Sequence, residues 1–559
     1  MGYSEPMIHV ASRSAGMALA ALALPLGGCV GLGGMPPGER MMLAEVAAER
    51  GEYALAANEY RLAAAATGDA TIAERAARIS FDNGQDRELK RTATEWLARD
   101  PKSEAPRRFL AVAELELDDR AAAERTLGDL VRTAYESPAE AFTALGESLA
   151  ALRNDTGVAR AVGRLADQYS GVPEAQYAAA SLALSASDSP AALGAVGRAL
   201  ALRPDWREAR WLHARARIAG GDCDAGLKEA SALAAESTDA DRLVYAWLLT
   251  ACDRGAEAQP YFADLAHGHV ARAEALEGLA GLDVEAHRWD EATSRYTEML
   301  STGRNADRAY FGLAVVADRR GDRERALRLY GRVTSGPRAV AAQLRAYRLG
   351  LEHGDTWTAA RQLDEFAGAS AEHRVEVTAG RAQILGEFGR AADALALLAR
   401  AEAAYPDRVE LRYARATVLE QSGAVDAALS ELRAVARLRP LDPTAQNALG
   451  FTLADHARDL ADAERRIRAA LAERPDSAAI QDSLGWVLHR RGRSAEGLAW
   501  LHRAYAVDPD PEIATHLGEV QWALGDRAVA EHTWRAALEK NPGDPHLKKA
   551  LERNLGPQT

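Results

Sequence analysis

Apolar residues recur along this chain with the three- and four-residue spacing of amphipathic helices, in blocks separated by short polar breaks. Aligning the stretch at Gly389 on the stretch at Gly423 shows the unit. Each glycine is preceded by one helix-periodic block and followed by a second, and a proline stands 17 residues later, at Pro406 and Pro440. Prolines recur at Pro475, Pro509 and Pro542, with spacings of 34, 35, 34 and 33 residues. The break inside each unit can be walked back through Gly51, Gly84, Asp119, Asn154, Ser187, Gly220, Asp253, His287, Gly321, Gly354, Gly389, Gly423, Arg458, Gly492 and Gly525, in steps of 33 to 35 residues. Most of these are Gly, Asn, Asp or Ser, which tolerate left-handed backbone at a helix end. The pattern predicts an all-α solenoid of about fifteen helix pairs.

The residues around the breaks resemble the tetratricopeptide repeat. Leu484 and Gly485 occupy the close-packed positions of one first helix, and Gly497, Leu501, Ala504 and Pro509 the second-helix and exit positions. The set recurs as Leu517, Gly518, Ala530, Trp534, Ala537 and Pro542, and near the other end as Leu43, Ala44, Ala56, Tyr60 and Ala63. Gly497 stands where the repeat usually has alanine and is expected to loosen its helix slightly. The resemblance implies a superhelix whose first helices line a concave groove. It covers residues 39–543, with the charged segment 544–559 as capping helix and tail; the copies near Asp119 and Asn154 match least well.

Composition agrees and narrows the function. Of 559 residues, 48% are hydrophobic but only 6% aromatic, as expected of alanine-rich helices. A net charge of −13 with no basic block argues against nucleic acid as a partner. The six lysines against 62 arginines fit a GC-rich genome as well as any site chemistry. Three cysteines exclude a disulfide framework, a four-cysteine zinc site and an iron–sulfur cluster. No phosphate loop, H-E-x-x-H or G-x-S-x-G elbow occurs, and His267-Gly-His269 lacks a third ligand nearby. The reading is therefore a protein that is not an enzyme, with no cofactor and no metal.

Residues 1–28 read as a signal peptide, with Arg13 ahead of the apolar stretch Ala15–Leu26. Leu26-Gly27-Gly28-Cys29 resembles the lipobox of bacterial lipoproteins, which implies cleavage before Cys29 and acylation of its sulfur. Residues 29–38 would then be a lipidated tether. Two or three acyl chains anchor firmly where one is marginal. The absence of Asp after Cys29 implies sorting to the outer membrane, on its periplasmic face. In that oxidising compartment Cys223 and Cys252, flanking the turns of successive units, are candidates for a disulfide.

Groove candidates follow from repeat position: Tyr413, Asn447, Phe451, Asp482, Trp486, His489, Arg490 and Trp522. They would either present a peptide-binding surface or, for Phe451, Trp486 and Trp522, pack against neighbouring repeats. His489, His502 and His516 are expected at solvent or in the groove. Two regions carry a narrower resemblance: Ala73–Ile79, and the trio Asn447–Asp455, Asp482–Trp486 and His516–Gly525. They are similar to proteobacterial outer-membrane lipoproteins built of these repeats. At least one branch binds a periplasmic carboxyl-terminal-processing serine protease and delivers cell-wall hydrolases to it. The resemblance implies a non-catalytic adaptor whose partners are that protease and its substrates. The alternative is a scaffold for envelope polysaccharide export or cell-wall assembly.

Overall fold

The structure, a computed structural model, describes residues 35–556 except 151, 153–154, 236–237, 369–370 and 542. The lipobox with Cys29, the break at Asn154 and Pro542 lie outside the described residues. Among those described there are 31 helices and no strand, in the order the periodicity predicts.

The first pairs are α1 (Pro37–Glu49) with α2 (Tyr53–Thr67), α3 (Ala70–Asp82) with α4 (Asp86–Arg99), and α5 (Glu104–Glu116) with α6 (Arg120–Thr133). Next come α7 (Pro138–Leu149) and α8 (Asp155–Gln168), α9 (Pro173–Ser185) and α10 (Ser189–Leu202), and α11 (Arg207–Ala219) and α12 (Cys223–Ala235). The middle consists of α13 (Asp239–Ala251) with α14 (Gly255–Ala266), α15 (Arg272–Glu285) with α16 (Trp289–Ser301), and α17 (Ala306–Arg319) with α18 (Arg323–Tyr330). It continues through α19 (Ala339–Glu352) and α20 (Thr356–Ala367), α21 (Ala371–Glu387) and α22 (Ala391–Ala404), and α23 (Val409–Gln421) and α24 (Val425–Leu438). The last pairs are α25 (Pro443–Asp455) with α26 (Leu460–Glu473), α27 (Ala478–Arg490) with α28 (Ser494–Val507), and α29 (Pro511–Leu524) with α30 (Arg527–Lys540). A single helix, α31 (Pro545–Leu555), covers the end of the stack with Leu547, Ala550 and Leu551 turned inward.

Local chemistry sets these limits. Asp188, Asp322, Asp355 and Asp510 accept hydrogen bonds from backbone N–H groups in the first turn of the helix each precedes, and prolines open α9, α25, α29 and α31. The break inside each pair uses left-handed backbone at Gly51, Gly84, Ser187, Asp253, His287, Gly321, Gly354, Gly389, Gly423, Gly492 and Gly525, the positions the spacing predicts. Three positions shift by one residue. Asp118 replaces Asp119, Gly221 replaces Gly220, and Ala457 and Asp459 flank Arg458 with positive φ.

Two expectations change. In the fourth pair α7 packs on α9, while α8 packs on α6 and α9, an arrangement unlike the hairpin order elsewhere. Gly497 has a packing role that the expectation of a looser helix did not include. Its backbone and that of Gly485 meet where α27 crosses α28, and a side-chain carbon on Gly485 would lie 2.9 Å from the Gly497 carbonyl oxygen. Missing side chains here allow the close approach.

First helices of neighbouring pairs touch one another, as in α15–α17, α25–α27 and α27–α29, so they line the inner face of the superhelix. The winding then brings the chain back onto itself. Intra-pair turns of the second to fifth pairs lie against connections between the eleventh and fourteenth. Gln85 Nε2 donates to the Ala404 carbonyl (3.1 Å) and Arg120 Nη2 to that of Leu441 (2.7 Å), across 319 and 321 residues. Arg374 Nη2 reaches the Tyr53 hydroxyl at 3.1 Å, and Arg474 Nε the Thr156 hydroxyl at 2.7 Å.

Carboxylates complete the seam. The Arg87 N–H in the first turn of α4 donates to Asp407 (3.1 Å), and the Ser189 N–H that opens α10 donates to Asp476 (2.7 Å). Gln85, before α4, offers that helix no side-chain cap of its own, so its capping carboxylate comes from the other winding. An acidic group at a helix start is favoured by the helix dipole and by its otherwise unpaired N–H groups. Asp118, Arg120, Asp407 and Arg408 are all buried here. Buried charges persist only when paired: Arg120 pairs across windings with Glu473 and Asp407 with Arg87, while Asp118 pairs with Arg120 and Arg408 with Glu410 on their own windings.

Candidate functional site: the inner face of the carboxyl-terminal pairs

The residues proposed from repeat position sit on α23, α25, α27 and α29, and the structure brings most of them into one cluster. At its centre is Trp486. Its ring stacks on His516 (centroids 4.5 Å apart) and on His489 (5.4 Å), with the Arg490 guanidinium 5.6 Å from its centroid. The indole N–H donates to Asp455 at 3.3 Å, and Arg490 Nη1 donates to the Asp455 carbonyl at 2.9 Å. Phe451 closes one side, 5.8 Å from the His516 ring.

This is not the open groove that repeat position suggests. Trp486 is 6% exposed and Asp482 5%, because side chains from the adjoining first helices cover them. Phe451 and Tyr413 pack as half-buried neighbours of the same core. Trp522 lies one pair further on, half-buried, 5.9 Å from Trp534 and beneath Arg527. His489 and Arg490 keep partial exposure, and His489 Nδ1 lies 3.0 Å from the Ser494 hydroxyl.

His516 is a second correction. Expected at solvent or in the groove, it is 8% exposed, with Nδ1 3.0 Å from both Asp482 oxygens. The two residues stand 34 apart, one more than the 33-residue step that carries Leu484-Gly485 onto Leu517-Gly518, so the pairing is diagonal between neighbouring first helices and repeat register alone does not give it. Burial favours the neutral ring, but Asp482, with Glu512 and Glu519 behind it, more than offsets this and holds the imidazole pKa above its ordinary value. His489 is shifted the opposite way by burial, with Arg490 and His516 adding to the shift and Glu519 opposing it. Burial also raises the Glu512 carboxyl.

A raised folded-state pKa adds stability that is complete below the unfolded value and is lost as pH rises through the folded one. The His516–Asp482 pair should therefore stabilise α27–α29 more at pH 6 than at pH 8. Because His489 and Glu512 also titrate, the expected result is a difference between wild type and His516→Gln. The melting gap between the two proteins should shrink as pH rises from 6 to 8. A gap independent of pH would show that the ring does not titrate with the fold.

Polar atoms lie along the same face. The Asn447 Oδ1 and Gln481 Oε1 acceptors are buried without a hydrogen-bond partner. Buried acceptors normally have a partner. Burial pushes the Tyr413 hydroxyl pKa far upward, with Asp442 nearby adding to the shift. One potential cation-binding trio occurs here among the described residues, Glu420, Asp455 and His456, but His456 Nε2 is already bonded to Glu420 at 2.7 Å and links two pairs as it stands.

Cys223 opens α12 and Cys252 follows α13, and the two form a disulfide with Cα atoms 5.9 Å apart, tying the sixth pair to the seventh. Such a tie typically contributes about 2–4 kcal/mol. No helix among the described residues is long and apolar enough to cross a membrane.

A TPR repeat-containing protein of Pseudomonas aeruginosa is 32% identical over 213 residues, 38% of this chain; the match spans only 36% of that relative's length. Solved structures matched in part include a thermophilic TPR protein of Thermus thermophilus, 25% identical, covering 32% of this chain and 98% of that one at a TM-score of 0.30. A tetratricopeptide repeat protein from Parabacteroides merdae is 14% identical, covering 44% of this chain and 98% of that one at a TM-score of 0.33. Residues 380–444 and 451–512 match the tetratricopeptide repeat family, so the carboxyl-terminal pairs carry that repeat in sequence. The described residues form an all-α superhelix of the tetratricopeptide-repeat type.

Proposed function

We propose that this chain is a non-catalytic lipoprotein adaptor, held to the outer membrane through Cys29 with its repeats in the periplasm. In this reading it holds a carboxyl-terminal-processing serine protease and presents cell-wall hydrolases to it. Tetratricopeptide repeats are protein-interaction scaffolds, and the observation that carries the reading here is the inner face of α25 and α27. There Asn447 keeps partial exposure and offers its amide to an extended peptide's backbone. Arg490 and His489 at the rim add partly exposed donors. The adaptor's effect would be proximity: holding two partners on one rigid array raises their effective concentration without chemistry of its own. The lipobox supports the location, and the resemblance of Asn447–Asp455 and Asp482–Trp486 to protease-adaptor lipoproteins supports the partner.

The test is capture from envelope extract by the full chain and by an Asn447→Ala, Arg490→Ala variant. Recovery of a serine protease together with cell-wall hydrolases, lost in the variant, is the expected result. Recovery of polysaccharide-export components instead would favour the other scaffold. Cys29→Ala should abolish acyl labelling, and continued labelling would overturn the anchor.

A further inference from the structure

The ninth pair breaks the pattern. Helix α18 has 8 residues where its counterparts have 12 to 15, and the chain from Gly331 to Arg338 that would have completed it forms a loop instead. That loop is held in place. Asp307, in the first turn of α17, accepts the Thr334 N–H at 2.9 Å and the Ser335 hydroxyl, and Gln343 Nε2 donates to the carbonyls of Val333 (2.9 Å) and Gly331 (3.2 Å). Gly336 takes φ +78°, which lets the chain turn into Pro337.

The shortened helix leaves a cavity of about 610 Å³, lined by Trp247, Glu277, Arg308, Val333, Pro337 and Arg338 among others. This lies within the range of small-molecule sites. Its charges are arranged unequally. One carboxylate, Glu277, only 8% exposed, holds two guanidinium groups: Arg308 at 3.0 Å and Arg338 at 3.4 Å. Each arginine is about half exposed and carries further N–H donors, and the Arg338 guanidinium is positioned 5.1 Å from the centre of the Phe311 ring. Both oxygens of the other acid, Asp307, are engaged by the loop. The starts of α17 and α19, neither capped by a side chain, also border the cavity and add partial positive charge. Formal charges cancel, but the helix starts leave the site positive by roughly one unit. Trp247, partly exposed, supplies an apolar wall.

We propose that this cavity binds a single carboxylate carried on an apolar body, with Arg308 and Arg338 gripping the carboxylate and Trp247 packing on the body. Guanidinium groups match carboxylates through parallel N–H donors, and their donors beyond those used by Glu277 supply that grip. A small carboxylic acid and the end of a protein chain share this chemistry.

Calorimetric titration of the full chain with N-acetyl-leucine, its amide, and acetyl-Ala-Ala-Ala-Leu with a free carboxylate tests the site. Both acids should bind, the amide at least tenfold more weakly. Arg308→Gln and Arg338→Gln should each weaken the acids at least tenfold without moving the melting temperature, and Arg338→Lys should recover part of the loss. Tighter binding of the peptide would make the ligand a chain end, and equal binding a small acid. Equal binding of the amide, indifference to both glutamine variants, or no binding of either acid up to about 5 mM would overturn the proposal.

Discussion

Arg120→Met should open the superhelix. In the closed form Arg120 is 7% exposed and joins three groups: Asp118 at 3.2 Å on its own winding, with Glu473 at 3.0 Å and the Leu441 carbonyl at 2.7 Å on the other, while the Leu441 N–H donates back to Asp118. Removing the guanidinium leaves the Asp118 carboxylate, whose side chain is 1% exposed, without a cationic partner. Breaking a buried pair from one side typically costs about 3–5 kcal/mol. The lower end applies here, because Asp118 keeps its bond to Leu441 and Glu473 is partly solvated. The seam is the cheaper part to release, since each helix pair keeps its nearest neighbours. X-ray scattering should therefore show a larger radius of gyration with unchanged helicity. Pairing Arg120→Met with Asp118→Asn should cost less than Arg120→Met alone, since no carboxylate is then stranded. An unchanged radius would mean that neighbour packing alone sets the winding.

Trp534→Ala should release α29–α31 and leave the rest of the array folded. Trp534 is fully buried, donates its indole N–H to the Thr515 carbonyl at 3.2 Å, and fills the space that Gly518 leaves open. It also anchors the cluster of Ala514, Ala530, Leu547 and Leu551 that holds the last helix. Truncating such a residue costs about 3–5 kcal/mol. Because the stack ends there, no later pair can compensate. Hydrogen exchange in α29–α31 should accelerate more than ~100-fold, with α1–α20 unaffected. Trp522→Ala, at a half-buried site, is the control and should have a much smaller effect. A uniform acceleration along the whole chain would show that the array unfolds as one unit.

What was legible in the sequence divides by range. The turns at Ser187, Asp253 and His287 could be located without a glycine because the 34-residue step fixes them, and their backbone does turn left-handed there. The short α18 had its own punctuation, Gly331 and Gly336-Pro337, which the periodic walk passed over. Repeat position placed Trp486 on an inner-facing helix correctly but could not say what lies on top of it. Its burial depends on the stacking of His516 from the next pair and His489 from its own helix. The seam was beyond reach for a different reason. Gln85 meets Ala404 only after the small rotation of each pair has accumulated over nearly ten of them, and no local pattern encodes that sum.

The seam also restricts how this array could gain or lose length. In an open stack, copy number is free to drift, because a deleted unit only brings its two neighbours together. Here two windings mesh like threads on a screw, with Asp407 and Asp476 seated on the starts of α4 and α10. Deleting one unit anywhere between α11 and α20 would shift every tooth by one notch at once, so no contact could be repaired by moving its neighbour. Only changes of a full winding, or changes outside the meshed stretch, would preserve the fit.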